Sequence, residues 1–145
     1  MAQIHTRITI VKGFTIMEKI LLLISMLYLH IADDYRHQGI LASMKQKSWW
    51  EEHAPGDLYQ HDYIMALYEH AFSWTVAIHV PAIVYRLYFG NIINLPEFLF
   101  LFISMWLVHA MVDDAKCNQH TISLVQDQLA HIVQVWTVWA FYVST

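Results

Sequence analysis

Charged residues are scarce in this chain: Asp, Glu, Lys and Arg make up only 14% of its 145 residues, against about 25% in a soluble domain. Its single cysteine, Cys117, excludes an intramolecular disulfide and any multi-cysteine zinc or iron–sulfur site within one chain. No block of basic residues is present, so nucleic acid is not an expected partner. Apolar residues make up 57% of the chain, and its mean hydropathy is +0.37. This composition predicts a membrane protein.

Four apolar stretches of near-membrane length divide the chain. A helix needs about 20 apolar residues to span a bilayer, and only helices satisfy their own backbone groups within such a segment. The sequence therefore predicts an all-α, integral membrane four-helix bundle that forms a single transmembrane domain over residues 1–145. The predicted spans are residues 17–34, 63–89, 95–115 and 121–143. Residues 1–16 are assigned to a candidate disordered leader.

One long connection, residues 35–62, joins the first and second predicted spans. It contains apolar residues that could form a short amphipathic helix on the membrane surface, followed by a Pro55-Gly56 turn. A structured interfacial lid and a flexible loop are both compatible with this pattern. If Arg7 and Lys12 belong to the leader, the Lys and Arg count places the connection on the cytoplasmic side of a bacterial inner membrane or its equivalent.

Ten histidines stand out in this apolar chain, and three of them form pairs with a carboxylate at one spacing: His30–Asp34, His109–Asp113 and Asp127–His131. Residues four apart on an α-helix lie on one face, about 6 Å apart along the axis, so both side chains can share one ion or proton. His70 lies near the start of the second span. In an up-and-down bundle, these seven residues all fall about 10 Å below one membrane face, which predicts a single site.

Imidazole and carboxylate groups together suit a divalent transition metal such as zinc, iron or manganese. The predicted metal ligands are His30, Asp34, His70, His109, Asp113, Asp127 and His131. Seven ligands exceed the four of a closed zinc site. Either some of them orient the ligating histidines, or two ions share carboxylate bridges. A metal-free proton or hydrogen-bond network and a chance coincidence are the alternatives.

The order of these motifs adds a resemblance. A histidine and an aspartate close the first helix, a histidine opens the second, His-x3-Asp and a lysine close the third, and Asp-Gln-x2-His opens the fourth. The residues in question are His30, Asp34, His70, His109, Asp113, Lys116, Asp127, Gln128 and His131. In this order the chain resembles, over residues 17–143, the DUF3307 family of small bacterial and phage integral membrane proteins, whose function is unknown. The doublets Asp33-Asp34 and Asp113-Asp114 depart from that pattern.

Three functions compete. The first is a metal-dependent hydrolase of lipid-like substrates, in which Asp34 or Asp114 acts as a base and Lys116 stabilises developing negative charge. The second is an accessory subunit of a larger membrane complex, with a structural metal or a polar network. The third is ion or proton conduction, which would need a homo-oligomer because four helices leave no roomy pore. Membrane lipid is the expected partner in each case.

Overall fold

The computed structural model describes residues 15–88 and 93–144, which form six α-helices and confirm the all-α prediction. In chain order the helices are α1 (Ile16–Ala32), α2 (Leu41–Met44), α3 (Lys47–His53), α4 (Asp62–Tyr88), α5 (Leu95–Cys117) and α6 (Leu124–Ser144). Most of the predicted leader, residues 1–14, and the last residue of the second predicted span, Phe89, lie outside the described residues.

The four long helices, α1, α4, α5 and α6, correspond to the four predicted spans with small differences at their ends. α1 begins with a capping box: the Glu18 carboxylate accepts the Thr15 backbone N–H at 2.8 Å, and the Thr15 hydroxyl accepts the Glu18 N–H at 3.3 Å. Ile16 therefore belongs to the helix and not to the leader. α5 follows the N-cap Asn94 and has Pro96 in its first turn, where the missing N–H is not needed.

The four long helices pack around a main apolar core, and α4 and α5 share a second, smaller apolar cluster. α4 contacts α1, α5 and α6, and α6 also contacts α1 and α5. The core consists mainly of apolar side chains from all four helices: Leu22, Met26, Trp74, Ile78, Ala82, Leu101, Val135, Val138 and Tyr142. These side chains fill the half of the bundle where α4 and α6 end. The other half, which we call the polar end, holds most of the buried histidines and carboxylates beside the smaller apolar cluster of Leu67, Ala71 and Ala110.

The connection between α1 and α4 is structured and is not a flexible loop, whereas its role as an interfacial lid stays a prediction. It begins with a π-helical turn, Asp33–His37, and continues through α2 and α3. Asn118, at the end of α5, holds this segment in place. Its side chain accepts the Lys47 N–H at 2.8 Å and donates to the Lys45 carbonyl oxygen at 3.1 Å. The connection therefore lies over the polar end of the bundle.

The membrane part of the fold prediction finds limited support. Among the described helices, α5 alone is long and apolar enough to cross a membrane by length and composition, and one such helix is weak support. α1 has only 17 residues. α4 and α6 are longer, but polar residues lower their average hydropathy: Asp62, Glu69, His70, His79 and Arg86 in α4, and Gln126, Asp127, Gln128, His131 and Gln134 in α6. Four membrane spans are therefore not confirmed.

Candidate metal centre

Six of the seven predicted ligands meet at the polar end, in a buried group that we call the His/Asp cluster: Asp34, His70, His109, Asp113, Asp127 and His131. Their ligand atoms form three overlapping groups, and within each group all the atoms lie within 4.8 Å of one another. Residues from α4, α5 and α6 and from the turn after α1 contribute. The structure thus brings together segments that are far apart in the sequence.

Helical spacing and aromatic stacking orient the rings of the cluster. Each i, i+4 pair of α5 and α6 points its two side chains into the bundle, where none is more than 1% exposed. Trp74 of α4 stacks on His109 with a centroid distance of 4.1 Å, and His109 stacks on His131 at the same distance. This stack limits how the two imidazoles can rotate, so that their Nε2 atoms stay on the side of the carboxylates.

Asp113 lies at the centre of the cluster and presents its two oxygens to different histidines. Its Oδ2 is 3.3 Å from His70 Nε2, and its Oδ1 is 3.2 Å from His131 Nε2. His70 Nε2 is also 3.2 Å from His109 Nε2 and 3.4 Å from Asp34 Oδ1. Three potential ligand atoms therefore lie within 3.4 Å of His70 Nε2.

These separations lie at the long end of the range for hydrogen bonds and also fit the edges of a metal coordination shell. N–H···O bonds cluster at about 2.9–3.0 Å. Two ligands that are each about 2.1 Å from a tetrahedral ion lie about 3.4 Å from one another. Asp127 Oδ1 follows the same pattern: it is 3.3 Å from His131 Nε2, and it has no hydrogen-bond partner among the described residues. The donor types and their spacing thus fit a divalent ion such as zinc, iron or manganese.

Two lysines bring positive charge to the cluster. Lys45, at the end of α2, lies 2.5 Å from Asp113 Oδ2 and is buried, and Lys116 Nζ lies 3.0 Å from Asp127 Oδ2. Together with Asp34, the three carboxylates and two ammonium groups give a formal charge of −1. One divalent ion would change this charge to +1 and two ions to +3. Because an uncompensated buried charge is costly, the charge count favours one ion.

His30, the seventh predicted ligand, lies beside the cluster but belongs to none of its groups among the described residues. Its Nδ1 accepts a hydrogen bond from Trp74 Nε1 at 2.8 Å, so in the neutral ring Nε2 carries the proton. His30 also hydrogen-bonds the side chain of Gln128. Gln128 in turn donates to Asp34 Oδ2 at 2.8 Å and to Asp127 Oδ2 at 3.0 Å. His30 therefore positions a residue that orients two carboxylates, and it offers no free lone pair to a metal.

His30 and Asp34 contact different residues where α1 meets the π-helical turn: His30 contacts Trp74, whereas Asp34 contacts His70. A π turn is wider than an α turn. In this turn Asp34 faces His70, and Asp33 accepts a hydrogen bond from Ser73 Oγ at 2.9 Å. π turns are frequent at functional sites, and the spacing in the sequence gives no sign of this one.

Asp34 is held in its ionised form. Burial by itself raises the pKa of this carboxyl group, but hydrogen bonds from His70 and Gln128 lower the pKa by more, to well below its usual value. Asp34 also shares a ligand group with His109 and His131, so the geometry supports its predicted role as a ligand. Its predicted role as a base stays a prediction.

The other two predicted catalytic residues lie in different surroundings. The Asp114 carboxylate accepts hydrogen bonds from Asn118 Nδ2 at 2.8 Å and from Gln119 Nε2 at 2.6 Å, so it closes the end of α5 and does not face the cluster. Its predicted role as a base is therefore not supported. Lys116 does face the cluster, through Asp127. The Lys116 ammonium group is therefore placed to stabilise negative charge on a molecule bound beside the cluster.

A cleft of about 360 Å³ opens beside the cluster, and we call it the lysine cleft. Four residues that line it also contact the cluster or belong to it: Asp34, Lys45, Lys116 and Gln128. Tyr35 and Leu124 are exposed apolar residues that also line it. A small molecule in the cleft would therefore reach the edge of the His/Asp cluster.

Comparisons with protein-family models, with curated proteins and with solved structures found no match. The resemblance to the DUF3307 family therefore stays a prediction. The function must be inferred from the residues of the site, because a helical bundle alone is compatible with many activities.

Proposed function

We propose that the chain is an integral membrane, metal-dependent hydrolase of lipid-like substrates whose His/Asp cluster binds one divalent transition metal ion. One observation carries this proposal. Neighbouring imidazole Nε2 and carboxylate oxygen atoms lie 3.2–3.4 Å apart in a buried cluster, and an open cleft lies beside it. A purely structural zinc site is closed, whereas a catalytic one keeps an open position.

The distribution of apolar side chains supports the membrane setting, with α1, α4, α5 and α6 as the proposed spanning segments. Each of these helices exposes large apolar side chains, for example Ile16 at 75%, Leu87 at 68%, Phe100 at 76% and Val125 at 68%. Monomeric soluble proteins rarely expose such extensive apolar surface. His70 in α4 and Asp127 and His131 in α6 are buried inside the bundle. The average hydropathy of these two helices therefore underestimates how apolar their outer faces are.

The chemistry follows from the placement of each group. A bound divalent ion would lower the pKa of a water ligand and polarise the bond that is broken. Gln128 holds the carboxylates of Asp34 and Asp127, and Trp74 fixes the His109 ring, so the binding groups are oriented before a substrate arrives. Lys116 on the cleft wall stabilises negative charge that develops on the substrate.

The lysines favour a second function, an accessory subunit in which the cluster is a structural polar network. Lys45 and Lys116 already neutralise two of the three carboxylates, and one protonated histidine would complete the balance without a metal. A structural network needs no cleft beside it. The lysine cleft is therefore the reason to rank this function second.

Hydrolysis measurements on detergent-purified protein test the proposal. The substrates are fluorogenic phosphate and carboxylate esters that share one alkyl chain, and they are supplied after chelation and again after zinc, iron or manganese is restored. We expect turnover only with the restored ion, loss of turnover in Asp34→Asn, and normal turnover in Asp114→Asn, whose side chain faces away from the cluster. Turnover that survives chelation, or that falls equally in both variants, would contradict the proposal.

A further inference from the structure

The wall of the lysine cleft carries two lysines, each paired with a carboxylate of the His/Asp cluster. Its lining includes two lysines and three side-chain amides: Lys45, Lys116, Gln38, Gln46 and Gln128. Asp34 is the only carboxylate among its described lining residues, and the two lysines already pair with Asp113 and Asp127, so the net charge beside the cleft is positive only with the divalent ion of the proposed function. Each of the three amides already donates to a protein oxygen, so the partly exposed Lys116 ammonium group is the donor that can meet an anionic oxygen such as that of a phosphate.

The two lysines are available to a ligand to different degrees. Lys45 is buried against Asp113, so it supplies a fixed positive charge at the base of the cleft. The Lys116 side chain is 30% exposed and rests on Asp127 at 3.0 Å. Lys116 can therefore form a direct contact with a molecule in the cleft while the ion pair of Lys45 stays intact.

Apolar residues complete the lining. Tyr35 and Leu124 line the cleft and are both more than half exposed. They provide a surface for an apolar chain attached to a bound headgroup. An anionic headgroup also suits the charge of the cluster, because the cluster with one divalent ion carries a formal charge of +1.

We infer that the lysine cleft binds an anionic, phosphate-type headgroup that carries an apolar chain, with Lys116 as the direct contact. This inference rests on the proposed function and names the substrate class of that site. Two ligands offer this phosphate chemistry: an amphiphile with a phosphate headgroup and free inorganic phosphate. The apolar lining at Tyr35 and Leu124 favours the amphiphile.

Calorimetric titration of the metal-loaded protein in lipid nanodiscs tests the inference by binding, without relying on turnover. The probes are octyl phosphate, neutral octyl glucoside with the same chain below its micelle concentration, and inorganic phosphate. We expect octyl phosphate to bind most tightly. In Lys116→Gln its affinity should fall about 10- to 100-fold, the usual loss for a hydrogen bond to a charged group.

Lys47→Gln is the matched control, because it removes the same charge from an exposed lysine in α3. Lys47 pairs with Glu51 and lies outside the cleft lining. We expect it to bind octyl phosphate like the unmodified protein. Equal weakening in Lys47→Gln and Lys116→Gln would show a general charge effect and overturn the assignment of Lys116.

Two further outcomes would overturn the inference. If octyl glucoside binds as tightly as octyl phosphate, the cleft does not select an anionic headgroup. If inorganic phosphate binds as tightly as octyl phosphate, the apolar chain does not contribute to binding. Metal content measured on the same samples separates these failures from a failure of the proposed function. Bound metal leaves that function standing, whereas its absence after reconstitution overturns the function and the inference together.

Discussion

The two ends of the bundle bury histidines equally well and surround them differently. His131 at the polar end and His79 in the apolar half are both 0% exposed. His79 Nδ1 lies 2.8 Å from the Thr75 carbonyl oxygen, and its ring packs against Phe98 and Phe102. His131 instead lies between two carboxylates and stacks on a second histidine. Burial alone therefore says little about function, whereas the partners of each ring say a great deal.

The same helices carry an apolar region that stabilises the fold and a polar region that holds the candidate site. α4, α5 and α6 each contribute apolar residues to one half of the bundle and ligand-type residues to the other. The apolar half is built mainly from uncharged side chains, and its buried Arg86 donates a hydrogen bond to the Tyr142 carbonyl oxygen at 2.8 Å. The polar end depends on every carboxylate keeping a cation or a donor, because an unpaired buried charge is costly. Substitutions at the polar end should therefore have the larger effects.

The largest effect is expected for Asp113→Asn, which removes the carboxylate that pairs with the buried Lys45. We expect the free energy of unfolding to fall by about 3 kcal/mol in the presence of a chelator, since Lys45 loses its counter-charge. Asp114→Asn makes the same chemical change one residue later and should cost less than about 1 kcal/mol. Thermal unfolding of both variants in one detergent measures the difference. Similar losses in the two variants would contradict the central position of Asp113.

A smaller effect is expected for His131→Leu. This change leaves oxygens of Asp113 and Asp127 without their histidine, which should cost about 2 kcal/mol. His79→Leu replaces a ring whose Nε2 has no hydrogen-bond partner among the described residues. Because its surroundings are aromatic, that change should cost less than about 1 kcal/mol. Chemical denaturation of the two variants gives the comparison, and a greater loss in His79→Leu would reverse it.

The smallest effect is expected for Asn118→Ala. It removes the side chain that bonds Lys47 N–H and the Lys45 carbonyl oxygen, and so loosens the connection over the polar end. We expect a loss of about 1 kcal/mol together with faster hydrogen exchange in α2 and α3. Exchange in the apolar half should not change. Uniformly faster exchange along the chain would show that Asn118 supports the whole bundle and not this segment.

Much of the fold could be predicted because it is encoded in local patterns. The four apolar stretches correspond to α1, α4, α5 and α6, and Pro96 marks the start of α5. The four membrane spans are not confirmed, because polar residues lower the average hydropathy of α4 and α6. The π turn after α1 could not be predicted, because it depends on contacts of Asp33 and Asp34 with other helices.

The candidate site could be predicted in part for a related reason. The i, i+4 spacing identifies His109–Asp113 and Asp127–His131, because each pair lies on one face of one helix. The same rule misplaces His30, where the helix changes to a π turn, and it gives no sign of Lys45. The approach of Lys45 to Asp113 joins positions 68 residues apart and depends on how the connection folds back over the bundle.

The most direct test of the central claim is the metal content of detergent-purified protein, measured by plasma mass spectrometry. The comparison includes the unmodified chain, His109→Ala, Asp113→Asn and the control His79→Ala. We predict about one zinc, iron or manganese ion per chain in the unmodified protein and in His79→Ala, and its loss in the other two variants. An unmodified chain that holds no metal after reconstitution, or equal metal in all four proteins, would contradict the claim that the His/Asp cluster is a metal centre.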